Sequence, residues 1–174
     1  MPKLYNTPEW FTPTYDQQAQ STCSKLDSTF VLNMSDAEVL QYIHTRQLNG
    51  PSSDSVVQLS KISWWGRDYN LGFNILFNAP PFIYKHLFPS AAKAALLVHE
   101  RGPSAAEDSM IPCALAESLS VEHCGLTRVK SLSDDLSPLE RKAVALVLKL
   151  LASRNDNCGE SALLALASYW KMYI

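Results

Sequence analysis

The chain has 174 residues, 47% of them hydrophobic and 18% charged, with a formal net charge of −2. That length supports one domain with a real core, and that composition buries enough surface to fold. The charge balance lacks the basic excess that nucleic acid or an anionic membrane surface calls for, and it lacks an acidic block that would mimic nucleic acid.

Residues 1–34 read as a proline-punctuated arm packed on a helical domain of residues 35–174. Pro2, Pro8 and Pro13 interrupt helix, while Trp10, Phe11 and Tyr15 supply apolar anchors. A short strand or helix is expected near Leu26–Leu32. The first residues, MPKLYNTPEWFTPTYD, form no apolar leader, so the expected location is the cytoplasm. The longest apolar-rich run, Ala143 to Ala152, contains Lys149 and is too short to span a bilayer.

From Ser35 the start signals sharpen. Ser35-Asp36-Ala37-Glu38 has the capping-box pattern, followed by Val39, Leu40, Tyr42 and Ile43, and Asn49-Gly50-Pro51 predicts the helix end. Ser52 or Ser53 predicts a second cap, with Val56, Val57 and Leu59 inward and Trp64 near the end. Gly66 to Gly72 reads as a polar break. Pro80-Pro81 suits a helix's first turn, where a missing N–H has no partner to lose. Pro89 disfavours helical geometry at Phe88, so a kink and a new helix from Ser90 to about His99 are expected.

Ser104-Ala105-Ala106-Glu107 is a further cap pattern, and Pro112 predicts a kink or restart. Ser137-Pro138-Leu139-Glu140 combines cap, first-turn proline and reaching glutamate. The helix from there to about Ser153 is expected to turn Leu139, Ala143, Leu146, Val147 and Leu150 inward, with Val144, Leu148 and Leu151 widening the stripe. A last helix carries Leu163, Leu166, Ala167 and Trp170. Strand-like alternation is scarce, so the fold class is mostly or all α, a single-domain irregular helical bundle.

The order of these motifs resembles a family of small bacterial helical proteins known as a domain of unknown function. The matching pieces are Phe77-Asn78-Ala79-Pro80, Tyr84-Lys85-His86-Leu87-Phe88-Pro89, Leu136-Ser137-Pro138-Leu139-Glu140 and Ala165-Leu166-Ala167-Ser168-Tyr169-Trp170. They span about residues 60–171, with Trp64 beside an upstream tryptophan of the family. The chain departs from the pattern by inserting Phe88 before the proline and by lacking Leu-x-Pro in the first motif. The resemblance implies a helical fold and a bacterial or phage origin. It implies no activity. Small helical proteins of this kind often neutralise toxins, which is analogy and not chemistry.

The residues that carry chemistry are sparse. Cys23, Cys113, Cys124 and Cys158 are widely spaced, and reduced, mostly buried thiols are expected. No ligand spacing for a metal and no phosphate loop or other cofactor motif occurs. Asp16-Gln17-Gln18-Ala19-Gln20-Ser21-Thr22-Cys23 resembles the run before the nucleophile of papain-like cysteine peptidases, where a glutamine helps build the oxyanion hole. A thiol at a helix start would be activated. The surrounding Gly-x-Cys-Trp pattern is missing, and a packed thiol is the simpler reading of Cys23. Asp134-Asp135 and Glu107-Asp108 fit helix first turns better than acid–base work.

Aromatic residues cluster at Trp64, Trp65 and Tyr69 around Arg67. Adjacent tryptophans on a helix point about 100° apart, so Trp64 reads as core. Trp65, Arg67 and Tyr69 are the candidate partner-binding residues, being of the types that dominate interface energetics. Tyr169, Trp170, Met172, Tyr173 and Ile174 form an apolar tail, either docked or part of a homodimer contact. The expected function is a non-enzymatic protein-binding module whose partner is another protein, such as a toxin or effector that it neutralises. The alternative is a cysteine-dependent hydrolase using Cys23. A DNA-binding regulator lacks the necessary basic clustering.

Overall fold

The computed structural model describes residues 10–45, 75–97 and 110–174. Among them every regular element is helical and none is a strand, so the all-α fold expected from the caps is the fold present. The expected end of the second helix at Asn49–Pro51, the helix after Ser52–Ser53, the break from Gly66 to Gly72 and the cap at Ser104–Glu107 lie outside the described residues.

The first helix, α1, runs Pro13–Thr29. Thr12 caps it, its hydroxyl accepting the Tyr15 N–H at 3.1 Å, and Pro13 takes the first turn. This corrects the expectation of an arm with structure only near Leu26–Leu32. Tyr15, Ala19, Cys23, Leu26 and Phe30 recur at helical spacing and all are buried in the same core as the later helices. The rest of α1 is rich in Gln, Ser and Thr, which hides the stripe in a hydropathy reading. The buried face rests on the helices over 81–96 and 138–152, and no seam separates it from the body.

Helix α2 spans Asp36–Thr45. Both arms of its capping box form: Ser35 N–H donates to Glu38 Oε2 at 2.8 Å, and Glu38 N–H donates to Ser35 Oγ at 3.2 Å. After a helical turn at 75–78, α3 covers Pro81–Leu96 without a break at Pro89. The expected kink and restart are therefore corrected. Pro89 offers no N–H to the Lys85 carbonyl, a defect that destabilises an isolated helix by about 3 kcal/mol. Burial decides the outcome. Ile83, Tyr84, Leu87, Phe88, Pro89, Ala91, Ala92, Ala94, Ala95 and Leu96 are all enclosed, each large apolar side chain contributing about 1.5–3 kcal/mol.

Helix α4 is described over Met110–Ser118 with Pro112 its third residue, and the segment that a kink or restart would join it to lies outside the described residues. The single turn α5, Val121–Cys124, passes through Gly125 into α6, Leu126–Asp134. Gly125 has φ +81°, a conformation that a side chain rarely adopts. Helix α7 spans Pro138–Ala152 and α8 spans Asn157–Ser168, followed by a 3₁₀ turn over Trp170–Tyr173.

The start of α7 is as expected, and its buried face is as expected in part. Ser137 and Glu140 exchange both capping-box bonds, at 2.7 and 3.3 Å. Leu139 is 71% exposed and Leu146 38% exposed, while Glu140, Val144, Val147, Leu148 and Leu151 form the inner seam. Val147 and Leu150 of the expected face are buried together with Val144, Leu148 and Leu151, so the face departs from the expected one at its edge, where Leu139 and Leu146 face out. The cause is Glu140. Its carboxylate, 2% exposed as a residue, is satisfied by the Ser137 N–H and by Lys85 Nζ at 3.3 Å, so an acid occupies a core position. A pattern reading places glutamate in solvent and shifts the stripe with it. Ser137→Ala is expected to destabilise the protein by about 0.5–2 kcal/mol in denaturant melts, since it removes one arm of the box and loosens the other.

The buried residues of α8 are Cys158, Gly159, Ala162, Ala165 and Leu166, whereas Leu163 and Ala167 face out. Small residues bring α8 close to α4 and α7. The expectation of reduced thiols is overturned in part: Cys113 on α4 and Cys158 on α8 form a disulfide, with Cα atoms 4.4 Å apart. Cys23 and Cys124 are not disulfide-bonded.

Candidate functional site

Trp65, Arg67 and Tyr69, together with Trp64, lie outside the described residues. Cys23 is placed mid-way along α1, 6% exposed and facing the core. Gln17, Gln18 and Gln20 face outward from the same helix. The glutamines and the thiol thus lie on different sides, and the thiol is far from the helix start that would activate it. The tail is docked through two of its aromatic residues. Trp170 is fully buried and donates its indole N–H to the Leu119 carbonyl at 2.9 Å. Tyr173 shares a hydrogen bond with Ser133 at 3.0 Å, and Met172 and Ile174 remain outward.

Two polar arrangements merit chemical scrutiny. His86 on α3 is buried, with Nε2 2.8 Å from the Asp36 carboxylate at the start of α2. His86 lines one side of a pocket of about 170 Å³ whose other walls include Val31, Leu32, Phe82 and Asp135. None of those walls carries a nucleophilic hydroxyl or thiol, so the carboxylate and imidazole act as a tie between α2 and α3. At the other arrangement, Cys124 donates to the Glu117 carbonyl at 3.5 Å beside Arg128. Burial pushes the Cys124 thiol above its usual range, only partly relieved by the Arg128 guanidinium. That direction opposes use as a thiolate. No group of three or more metal-binding side chains forms among the described residues.

The surface feature with the clearest shape lies between α1 and α7. A groove of about 190 Å³ is floored by Leu26 of α1 and Ala143 of α7 and bordered by Leu139 and Leu146. Thr22 and Thr29 complete the α1 wall. Leu139 and Leu146 are seven residues apart, two turns of one helix, so both stand on the same face. Lys25 and Lys142 flank the apolar strip from opposite helices, and neither forms an ion pair among the described residues. The groove's two bordering leucines, expected inside, are the ones left outside.

Among the described residues no helix is long and apolar enough to cross a membrane. Comparison with protein-family models, with curated proteins and with solved structures finds no match to this chain.

Proposed function

We propose that the protein is a non-enzymatic binding module that receives an acidic amphipathic helix of a partner protein in the α1–α7 groove. The observation that carries this reading is the exposure of Leu139 and Leu146 on one face of α7, between Lys25 and Lys142. Two apolar anchors at i and i+7 are the recognition pattern of a helix laid in a groove. The flanking lysines favour a partner with carboxylates beside its apolar stripe and speed the encounter through long-range attraction. A toxin or effector held in this way is the partner class proposed, with neutralisation as the outcome.

The test uses two synthetic helical peptides with the same leucine stripe, one flanked by glutamate and the other by lysine. The glutamate peptide is expected to shift the methyl resonances of Leu139 and Leu146, and the lysine peptide is not. Lys142→Glu and Leu146→Asp are each expected to weaken the glutamate peptide about tenfold or more, and Lys142→Glu, at an exposed position, is expected to leave the melting temperature unchanged. Absence of methyl shifts, or equal shifts from both peptides, would overturn the assignment.

A further inference from the structure

The α1–α7 groove has two unlike ends. Trp10, ahead of α1, meets Arg154, just past α7, with the guanidinium 4.1 Å from the ring centre, so the two helices run antiparallel. The groove residues then fall in order along it: Thr22 belongs to the Leu146 end, Lys25 and Lys142 to the middle, and Thr29 to the Leu139 end. The ends are seven residues apart on each helix, about 10 Å. Their hydroxyls differ. Thr29 Oγ1 donates to the Lys25 carbonyl at 2.8 Å, and Ser24 and Ser28 likewise bond to carbonyls of their own helix. The half-buried Thr22 makes no such bond among the described residues, so its hydroxyl is left for solvent or for an occupant of the groove.

We infer, resting on the binding reading above, that Thr22 fixes which way round the partner helix lies in the groove. An apolar side chain laid over Thr22 would take water from its hydroxyl and return no bond. A carboxamide in the partner's stripe can both donate to and accept from that hydroxyl, and as a neutral group it loses less hydration than a carboxylate. At the Leu139 end, Thr29 has given its hydrogen to the Lys25 carbonyl, so a partner's acceptor finds no donor in that hydroxyl. The lysines do not supply the choice. One stands on each wall near the middle, so a reversed partner meets the same two charges. The unpaired hydroxyl does supply it, because the wrong orientation leaves a polar group dry and unbonded. The partner class is thereby narrowed to an acidic amphipathic helix whose apolar stripe carries one asparagine or glutamine at the end over Thr22.

The experiment uses two glutamate-flanked leucine-stripe peptides that differ at one stripe position near the N-terminus, asparagine in one and alanine in the other. Each carries a nitroxide at its N-terminus. Affinities are measured for wild type, Thr22→Val and Thr29→Val, with melts to confirm that each variant is folded. The asparagine peptide is expected to bind wild type about fivefold or more tightly than Thr22→Val, the effect of one hydrogen bond in a desolvated site. The alanine peptide is expected to lose nothing on Thr22→Val, and Thr29→Val is expected to leave both affinities unchanged. On wild type alone, the nitroxide of the asparagine peptide is expected to broaden the Leu146 methyl resonances more than those of Leu139. Thr22→Val weakening both peptides alike, or neither, would overturn the inference and leave the groove reading standing, as would broadening centred on Leu139. Binding by neither peptide to wild type would overturn the groove reading and this inference with it.

Discussion

Trp170→Ala is expected to destabilise the protein by about 3–5 kcal/mol, the range for deleting a large buried aromatic side chain. Trp170 is the largest of the fully buried side chains among the described residues. It packs edge-on to Tyr169 at 5.3 Å and lies 5.9 Å from Tyr173. Its indole N–H is the partner of the Leu119 carbonyl just past the end of α4. Truncation therefore opens a cavity and strands a buried acceptor together. Trp170→Phe separates the two effects: it keeps most of the ring and removes the donor, and is expected to cost about 1–3 kcal/mol. Urea melts of both variants check this. A loss below about 1 kcal/mol for the alanine variant would contradict a docked tail, since buried aromatic truncations do not behave that way.

Gly159→Ala is expected to destabilise by about 3 kcal/mol, at the upper end of overpacking effects. The sign is the informative part. Inside a helix, glycine to alanine ordinarily stabilises by about 0.5–1 kcal/mol. Gly159 is the third residue of α8, where a Cβ would stand 2.1 Å from the Arg154 carbonyl oxygen and 2.9 Å from its carbon. Both are backbone atoms, so no side chain can swing away. The turn over residues 153–156 would have to move, and with it the Asp156 cap and the Arg154 guanidinium over Trp10. Denaturant melts read the stability, and near-ultraviolet circular dichroism reads the surroundings of Trp10. A variant as stable as wild type would mean that this turn does not press on α8.

How much of this was legible in the sequence depends on the range of the interactions. The boxes at Ser35–Glu38 and Ser137–Glu140 link residues three apart, and both form as their spacing predicts. Buried faces depend on neighbours distant in the chain, and there the reading failed in identifiable ways. Glu140 is polar yet internal because Lys85, on another helix, satisfies it. Pro89 stays within a helix because its surroundings are apolar on nearly every side. The face of α1 was present at Tyr15, Ala19, Cys23, Leu26 and Phe30, but its polar neighbours masked it. The pairing of Cys113 with Cys158 across 45 residues has no local signal. The α1–α7 groove is likewise a juxtaposition, visible only once the phase of α7 is known. The aromatic segment at Trp65, Arg67 and Tyr69 was the sequence's own candidate surface and lies outside the described residues.

The shared core of α1 and α7 has a consequence for how the chain is made. The Tyr15 hydroxyl donates to the Leu96 carbonyl 81 residues away, and Trp10 meets Arg154 near the other end of the chain. Loop closure over such spans must precede the contacts that reward it. During synthesis α1 leaves the ribosome first, with Tyr15, Ala19, Cys23 and Leu26 along one side. That side stays uncovered until α3, and later α7, have been translated. Burial of that side therefore waits on helices distant in the chain.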